Sequence, residues 1–163
     1  MRIPKNNMKL CFLIPILSIF FSTINIAHAA CSMSVNNVSF GTYDVSGTAP
    51  LDSDTGKINI SCTEDVNKAT VTISRSATSN SFNPRKMKLA TGTDFLNYNI
   101  YTTSARSTIW GDGTGGTSSV QVNRPQGKPN PWAQILIIYG RIPAGQNVSV
   151  GSYSDNLTVT LTP

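Results

Sequence analysis

From Cys31 onward the chain alternates apolar and polar residues in short runs, and no helical period lasts for ten residues. The runs are separated by segments rich in Gly, Pro, Asn, Asp and Ser, which favour turns. Seven or eight short strands in one domain predict an all-β fold, a β-sandwich of two packed sheets. The strand runs are Cys31/Met33/Val35, residues 38–43, Ile58/Ile60/Cys62, Ala69/Val71/Ile73, Leu96/Tyr98/Ile100, residues 135–139 and Leu157/Val159/Leu161.

Two of these runs carry more detailed predictions. Residues 135–139 are continuously apolar, which is typical of a central strand buried on both faces. The strand that contains Cys62 is predicted to begin near Lys57. Residues 52–56 before it, Asp-Ser-Asp-Thr-Gly, have the composition of a turn.

Residues 1–29 have the features of a secretory signal peptide. Three basic residues precede an apolar run at residues 10–21, and small residues on both sides of His28 form a cleavage site. The apolar run is shorter than the roughly 20 residues that a transmembrane helix needs. We therefore expect an exported domain of residues 30–163 that is not an integral membrane protein; an uncleaved anchor is the alternative.

Removal of the leader changes both the charge and the cysteine count. The net charge falls from +5 to +2, because ten basic residues then face eight acidic ones, and nucleic-acid binding loses its main support. The basic cluster at residues 85–88 is interpreted as a solvated face or as protection of an edge strand. Cys31 and Cys62 remain, and an oxidising environment permits one disulfide between them. A lipoprotein cleavage box around Cys31 is the alternative, and it would leave Cys62 unpaired.

The mature chain lacks the residue types of common catalytic and metal sites. Its only histidine, His28, lies in the leader, so no Ser-His or Cys-His pair and no imidazole ligand remains. Residues 52–56 and the glycine-rich residues 111–116 match calcium and phosphate loops only in part, and both are interpreted as turns. We therefore expect a protein that is not an enzyme and that needs no cofactor or metal.

Two tryptophans, Trp110 and Trp132, flank turn-rich segments. Exposed rings at such positions could bind a sugar or an apolar surface, so a carbohydrate-binding module is one hypothesis. Tryptophans there more often close the end of a sandwich core.

Several motifs, in order along the mature chain, resemble the spore coat protein U domain family. They are Cys31-Ser32-Met33-Ser34, Phe40-Gly41-Thr42-Tyr43, Ile60-Ser61-Cys62-Thr63, Leu96-Asn97-Tyr98-Asn99-Ile100-Tyr101, Trp110-Gly111-Asp112-Gly113-Thr114-Gly115-Gly116 and Tyr139-Gly140-Arg141-Ile142-Pro143. Members are secreted β-sandwiches, many of them subunits of archaic chaperone–usher pili. The resemblance implies an immunoglobulin-like sandwich that lacks its final strand. A periplasmic pilus chaperone would complete it first, and another pilin subunit would do so after passage to the outer-membrane usher.

The C-terminal strand fits this implication. After the corner at Pro143, apolar residues alternate with threonines from Leu157 onward, and the sequence stops at Pro163. No sequence for a further strand is therefore expected. The side chains expected to line a strand-acceptor groove are Met33, Val35, Leu157, Val159 and Leu161.

Polymerising pilins of this kind carry a donor extension before the first cysteine, whereas cleavage after Ala29 leaves only Ala30. The resemblance thus predicts a fimbrial or adhesive subunit at the end of a fibre, exported through the periplasm to the cell surface. The alternative is a self-complete secreted surface or spore-coat-like structural protein, in which residues 33–43 cover the open edge internally.

Overall fold

The computed structural model describes residues 30–63, 66–127 and 131–163, and the predicted signal peptide lies outside this part of the chain. Every regular element there is a β-strand. The strands are β1 (Cys31–Asn36), β2 (Leu51–Cys62), β3 (Lys68–Ile73), β4 (Arg85–Leu89), β5 (Phe95–Tyr101), β6 (Val120–Asn123), β7 (Trp132–Ile142), β8 (Tyr153–Ser154) and β9 (Val159–Thr162). Within these described ranges no helix is long and apolar enough to cross a bilayer.

The strands form two sheets. The larger has the order β1-β2-β7-β5-β4-β8, and the smaller has the order β6-β3-β9. All strand pairs are antiparallel. Side chains that alternate inward along the strands, such as Ile58, Val71 and Ile100, form one apolar core. The predicted all-β sandwich is confirmed.

The predicted disulfide is also confirmed. Cys31 and Cys62 are direct cross-strand partners in the β1–β2 register, with their Cα atoms 4.0 Å apart. The pairing continues beyond the disulfide, because the Thr63 amide donates to the Ala30 carbonyl at 2.9 Å. The start of the domain is therefore fastened to β2 along the whole length of β1.

The prediction of a turn at residues 52–56 is wrong. These residues belong to β2, which pairs with β7 on both sides of a β-bulge between Ser53 and Gly56. A bulge inserts an extra residue without ending the strand, and polar or glycine residues are common there. Turn-like composition thus marks an irregularity within a strand.

The prediction that residues 135–139 are buried on both faces is also wrong. β7 is central in its sheet, but only its alternate residues, such as Ile138 and Ile142, are buried. Ile135 is 61% exposed on the opposite face. The sandwich has only two layers, so the outer face of its larger sheet contacts solvent.

The interpretation of residues 85–88 as a solvated cluster fails for Arg85, which is fully buried. Its guanidinium donates to the carbonyls of Ser74 and Trp110, at 2.8 and 2.7 Å, and more weakly to Asn99. Burial lowers the pKa of Arg85 to about 10, because desolvation disfavours the cation. The ring of Phe82 lies 5.4 Å from this guanidinium. Arg85 thus ties β4 to the carbonyls of two other segments.

Candidate functional site: a groove between two open strand edges

The sheets end at four edge strands, β1 and β8 in the larger and β6 and β9 in the smaller, and two of these edges lie side by side. β1 ends the larger sheet and β9 ends the smaller one, so each is hydrogen-bonded on one side only. The two edges lie close to each other. Neither strand contains a charged residue or a proline, the usual devices that prevent pairing at an exposed edge. At the far end of the larger sheet, by contrast, β8 has only two residues.

A groove beside these edges opens directly onto the core. Its first compartment, of about 380 Å³, is bounded by residues 35–38 on one wall and residues 153–157 on the other. The floor consists of buried apolar core side chains. They are Ile73, Met87, Tyr98, Ile100 and Ile138.

A second compartment, of about 690 Å³, continues between residues 38–45 and residues 148–153. Its floor includes Leu96 and Ile142. Four residues line both compartments, and we call them the neck: Val38, Phe40, Met87 and Tyr153. The two compartments are thus adjacent along the side of the core, and together we call them the groove.

Residues 37–43, which we call the strap, form one wall and lie over the larger sheet. The strap contacts two glycines: a Cβ at Gly56 would lie 2.5 Å from the Val38 side chain, and one at Gly140 would lie 2.6 Å from the Phe40 ring. Absence of a side chain at both glycines therefore lets the strap approach the sheet closely. This segment was predicted as a strand, but it is not one.

Polar contacts hold the strap in place. The Ser39 amide donates to the Thr55 hydroxyl at 2.8 Å, and the Ser53 hydroxyl donates to the Ser39 carbonyl at 2.6 Å. Further along, the Tyr43 hydroxyl donates to the Pro143 carbonyl at 3.0 Å. The β2 bulge supplies the first two partners, so the bulge positions the strap.

The opposite wall is anchored by two carboxylates. The Ser149 amide donates to the Asp94 carboxylate at 2.8 Å. Hydrogen bonds from the Ser149 side chain and then from its amide lower the pKa of Asp94. The Tyr98 hydroxyl donates to Asp155 at 2.8 Å. Burial, followed by the bond to Asp155, raises the pKa of Tyr98. Both walls of the groove are thus fixed by hydrogen bonds to the body of the domain.

Three of the five predicted groove residues line the groove. Val35, Leu157 and Val159 border the first compartment. Met33 instead lines a shallow depression formed mainly by β1 and β2, and Leu161 packs against the core. Their role in accepting a strand stays a prediction.

The register explains why β1 remains accessible. Met33 and Val35 pair with Ile60 and Ile58, so all four side chains lie on the core-facing side of the sheet. Ile58 and Ile60 are buried, but Met33 is 36% and Val35 is 41% exposed. Inward-facing apolar residues that remain exposed indicate an edge that nothing covers.

The sequence did not identify the neck. Phe40 belongs to a motif that was noted, but Met87 lies in a cluster interpreted as solvated, and no element was predicted at Tyr153. The alternation of Met87 with two lysines was the signal that could have placed it on the core side.

The structure places Trp110 and Trp132 in the core, each 1% exposed. Their indole N–H groups donate to the backbone carbonyls of Val71 and Val66, at 3.1 and 2.6 Å. The hypothesis that they bind a sugar required exposed rings, so it fails for this conformation. Buried tryptophans that satisfy their N–H on the backbone close a core.

This burial predicts a spectroscopic result. The two tryptophans are the only ones in the chain, so the native fluorescence emission should be blue-shifted from that of the unfolded protein. Added oligosaccharides should leave it unchanged. A saturable shift or quenching by a saccharide would contradict the core assignment.

Substitution at Gly140 tests the contact between the strap and the larger sheet. Gly140→Ala places a Cβ 2.6 Å from the Phe40 ring, and the resulting overpacking is expected to lower the free energy of unfolding by about 1–3 kcal/mol. In the double variant Gly140→Ala/Phe40→Val the smaller side chain removes the collision. Denaturant unfolding should then show a total loss well below the sum of the two single losses. Simple additivity would contradict the contact.

No group of three or more His, Cys, Asp or Glu side chains in residues 30–63, 66–127 and 131–163 could hold a metal ion. The groove is instead lined mainly by apolar side chains and bordered by open backbone edges. This arrangement is suited to an extended peptide.

Comparison with solved structures bears on the fold alone. A chain in the crystal structure of the CsuC-CsuE chaperone–tip adhesion subunit pre-assembly complex, from the archaic chaperone–usher Csu pili of Acinetobacter baumannii, matches with a TM-score of 0.57 and 21% identity. The match covers 83% of this chain and 40% of that one, and it shows a common fold. The E. coli Hda pilus minor tip subunit HdaB matches with a TM-score of 0.42 and 16% identity, over 80% of this chain and 79% of that one.

Sequence similarity is stronger. Protein U of Myxococcus xanthus is 34% identical over 146 residues, which cover 82% of this chain and 77% of that protein. The family model described as the Spore Coat Protein U domain matches residues 18–160. The chain therefore belongs to the spore coat protein U domain family.

Proposed function

We propose that this protein is a non-catalytic, exported subunit of a pilus or related surface fibre that accepts a β-strand from another polypeptide. The observation that carries the proposal is the groove, where the partly exposed apolar side chains of Val35, Leu157 and Val159 lie beside two uncharged, one-sided strand edges. An inserted strand would cover those side chains and pair with the open backbone groups.

The energetics favour an extended apolar partner. About four inserted side chains would contribute roughly 6–12 kcal/mol of hydrophobic free energy. Ordering a free segment opposes this gain by about 1–2 kcal/mol per residue. A donor strand that is already held extended by its own protein would lose less entropy, so a folded partner is favoured over a free peptide.

The partners that this function needs are a periplasmic pilus chaperone, an outer-membrane usher and other pilin subunits. The fold is shared with a chain from a chaperone–tip adhesion subunit complex, and the predicted leader supplies a route to the periplasm. Family membership and the mainly apolar lining of the groove support a structural rather than a catalytic role.

The predicted cleavage site bears on the position in a fibre. A mature chain that starts at Ala30 has a single residue before β1, which is too short to serve as a donor strand. We therefore propose a position at the end of a fibre. N-terminal sequencing of the exported protein tests this point, and a mature start ten or more residues upstream would contradict it.

Co-expression tests the function as a whole. The full chain, leader included, is produced in a Gram-negative periplasm with and without a chaperone encoded beside it. We expect a one-to-one complex with the chaperone, and a lower yield of soluble protein without it. A monodisperse, stable monomer that forms no chaperone complex would overturn the proposal.

The strap favours a second candidate, a self-complete surface or coat protein. Val38 and Phe40 belong to the same chain and already cover part of the larger sheet at Gly56 and Gly140. The two candidates differ in their response to a strand peptide. At about 100 times its Kd, a peptide that fills the groove raises the stability by about 2.7 kcal/mol, whereas a self-complete domain would show no change in Tm.

A further inference from the structure

β7 is central in the order of its sheet, but it has two neighbours along only part of its length. It pairs with β2 from end to end, whereas it pairs with β5 only at residues 139–141. No strand in the described part of the chain continues the β5 side of this ladder past Tyr101. Residues 133–137, which we call the half-edge, are therefore hydrogen-bonded to a strand on one side only.

The hydrogen-bond pattern shows which backbone groups the half-edge leaves free. The Trp110 amide donates to the Ile100 carbonyl at 3.0 Å, so the backbone of Ile100 points away from β7. Its neighbour Tyr101 therefore bonds to Tyr139, its partner in the register. Alternate residues of a strand direct their N–H and C=O groups to the same side. The half-edge residues that share the direction of Tyr139, away from β2, are Ala133, Ile135 and Ile137. Among the described residues, no hydrogen bond engages these groups on that side.

The half-edge lacks the features that usually prevent pairing at an exposed edge. Ala133 is exposed, Ile135 is 61% exposed and Ile137 is half-buried. All three side chains lie on the outer face of the larger sheet, because the residues between them face the core. None of the residues 132–139 is charged, and none is a proline. An apolar edge of this kind is suited to the addition of a strand.

The two ends of the half-edge favour a second copy of this chain as that strand. Pro131 lies immediately before β7 and has no N–H group, so it ends the pairing on one side. Tyr139 ends it on the other side, because it is already paired with β5. Ile135 lies midway between these two boundaries. An antiparallel copy related by a two-fold axis at Ile135 therefore meets the same boundaries as the first, and the uncharged stretch brings no like charges together.

We propose that the half-edge joins two copies of this protein into a two-fold dimer whose larger sheets become continuous. Ile135 then lies opposite Ile135 of the second copy, and Ala133 lies opposite Ile137. β2 separates this interface from β1, so the dimer uses neither of the edges assigned to strand acceptance. The paired stretch is short, and association is therefore weak and dependent on concentration.

Sedimentation velocity tests the dimer on the exported protein, purified alone or in complex with its chaperone, between about 10 μM and 1 mM. Ile135→Lys should raise the dissociation constant of the dimer at least about tenfold, because two lysines would lie directly opposite each other. Phe95→Lys is the matched control, since Phe95 is another exposed apolar side chain of the same sheet, 45% exposed but outside the half-edge. It should leave the dissociation constant unchanged. Tryptophan emission shows whether each variant is folded.

Disulfide trapping tests the register and does not require a stable dimer. In the proposed pairing the Cα atoms of the two residues 135 are about 5.5 Å apart, which a disulfide spans. Mild oxidation of Ile135→Cys should therefore give a covalent dimer. Ile137→Cys alone should not, because its two copies are offset by roughly 13 Å along the strands. A mixture of Ala133→Cys and Ile137→Cys should again form the covalent dimer.

The two measurements also separate this proposal from strand acceptance. Equal trapping at positions 135 and 137, or no trapping at 135, would overturn the dimer. So would an association that persists in Ile135→Lys, because a different surface would then join the copies. Each of these results would leave strand acceptance at β1 and β9 standing, since neither edge takes part in the proposed interface.

Discussion

Replacement of both Cys31 and Cys62 by alanine is expected to lower the free energy of unfolding by about 3.5–4 kcal/mol. The disulfide closes a loop with a sequence separation of 31 residues, and the chain-entropy estimate for a loop of that length gives this loss. β1 is an edge strand with a partner on one side only, so no second strand compensates. Urea-induced unfolding of the wild type and of the double variant, in the same buffer, measures this difference in the free energy of unfolding.

The double variant Ser32→Ala/Ser61→Ala is a matched control, because this neighbouring cross-strand pair is exposed. It should change the stability by less than about 0.5 kcal/mol. The cysteine variant should also bind groove-filling peptides more weakly, since β1 forms the edge beside the groove. A loss below about 1 kcal/mol would show that β1 is held by other contacts.

Arg85→Met is expected to lower the free energy of unfolding by about 2–4 kcal/mol. The substitution preserves an apolar stem but leaves the carbonyls of Ser74 and Trp110 without the guanidinium donor. Loss of the hydrogen-bond donor to a buried acceptor lowers the free energy of unfolding by about 1–3 kcal/mol. Removal of a desolvated cation offsets part of this loss.

Arg75→Met provides the control for Arg85→Met. Arg75 is exposed, and its guanidinium lies 5.1 Å from the centroid of the same Phe82 ring that Arg85 contacts. Arg75→Met should lower the free energy of unfolding by at most about 1 kcal/mol. Equal effects of the two substitutions in chemical denaturation would contradict the assignment of Arg85 as the hydrogen-bonding centre.

The sequence was sufficient for the fold class, because alternation with a period of two depends only on which face of a strand is buried. It located β1, β3 and β5 and the partner of Cys31. It misplaced Ile135, since an unbroken apolar run does not reveal whether a second layer covers the outer face. It also misread the β2 bulge as a turn, because both features favour the same residue types.

The groove was predicted only in outline. Val35, Leu157 and Val159 could be predicted because they lie in the first and last predicted strands, where the resemblance implied an open edge. The neck was not, because Phe40 reaches it only through its close approach to Gly140, which lies 100 residues away in the sequence. Contacts between distant segments depend on the register and packing of the whole sandwich, and no local pattern encodes them.

Hydrogen exchange at the two open edges tests the central claim most directly. The amides of β1 and β9 that do not donate to β2 or β3 are measured by NMR in the processed domain, alone and with a bound chaperone or donor strand. Because both edges are open, these amides should exchange rapidly in the isolated domain and should be strongly protected in the complex. Amides that are already protected in the isolated domain, and unchanged by any partner, would contradict it.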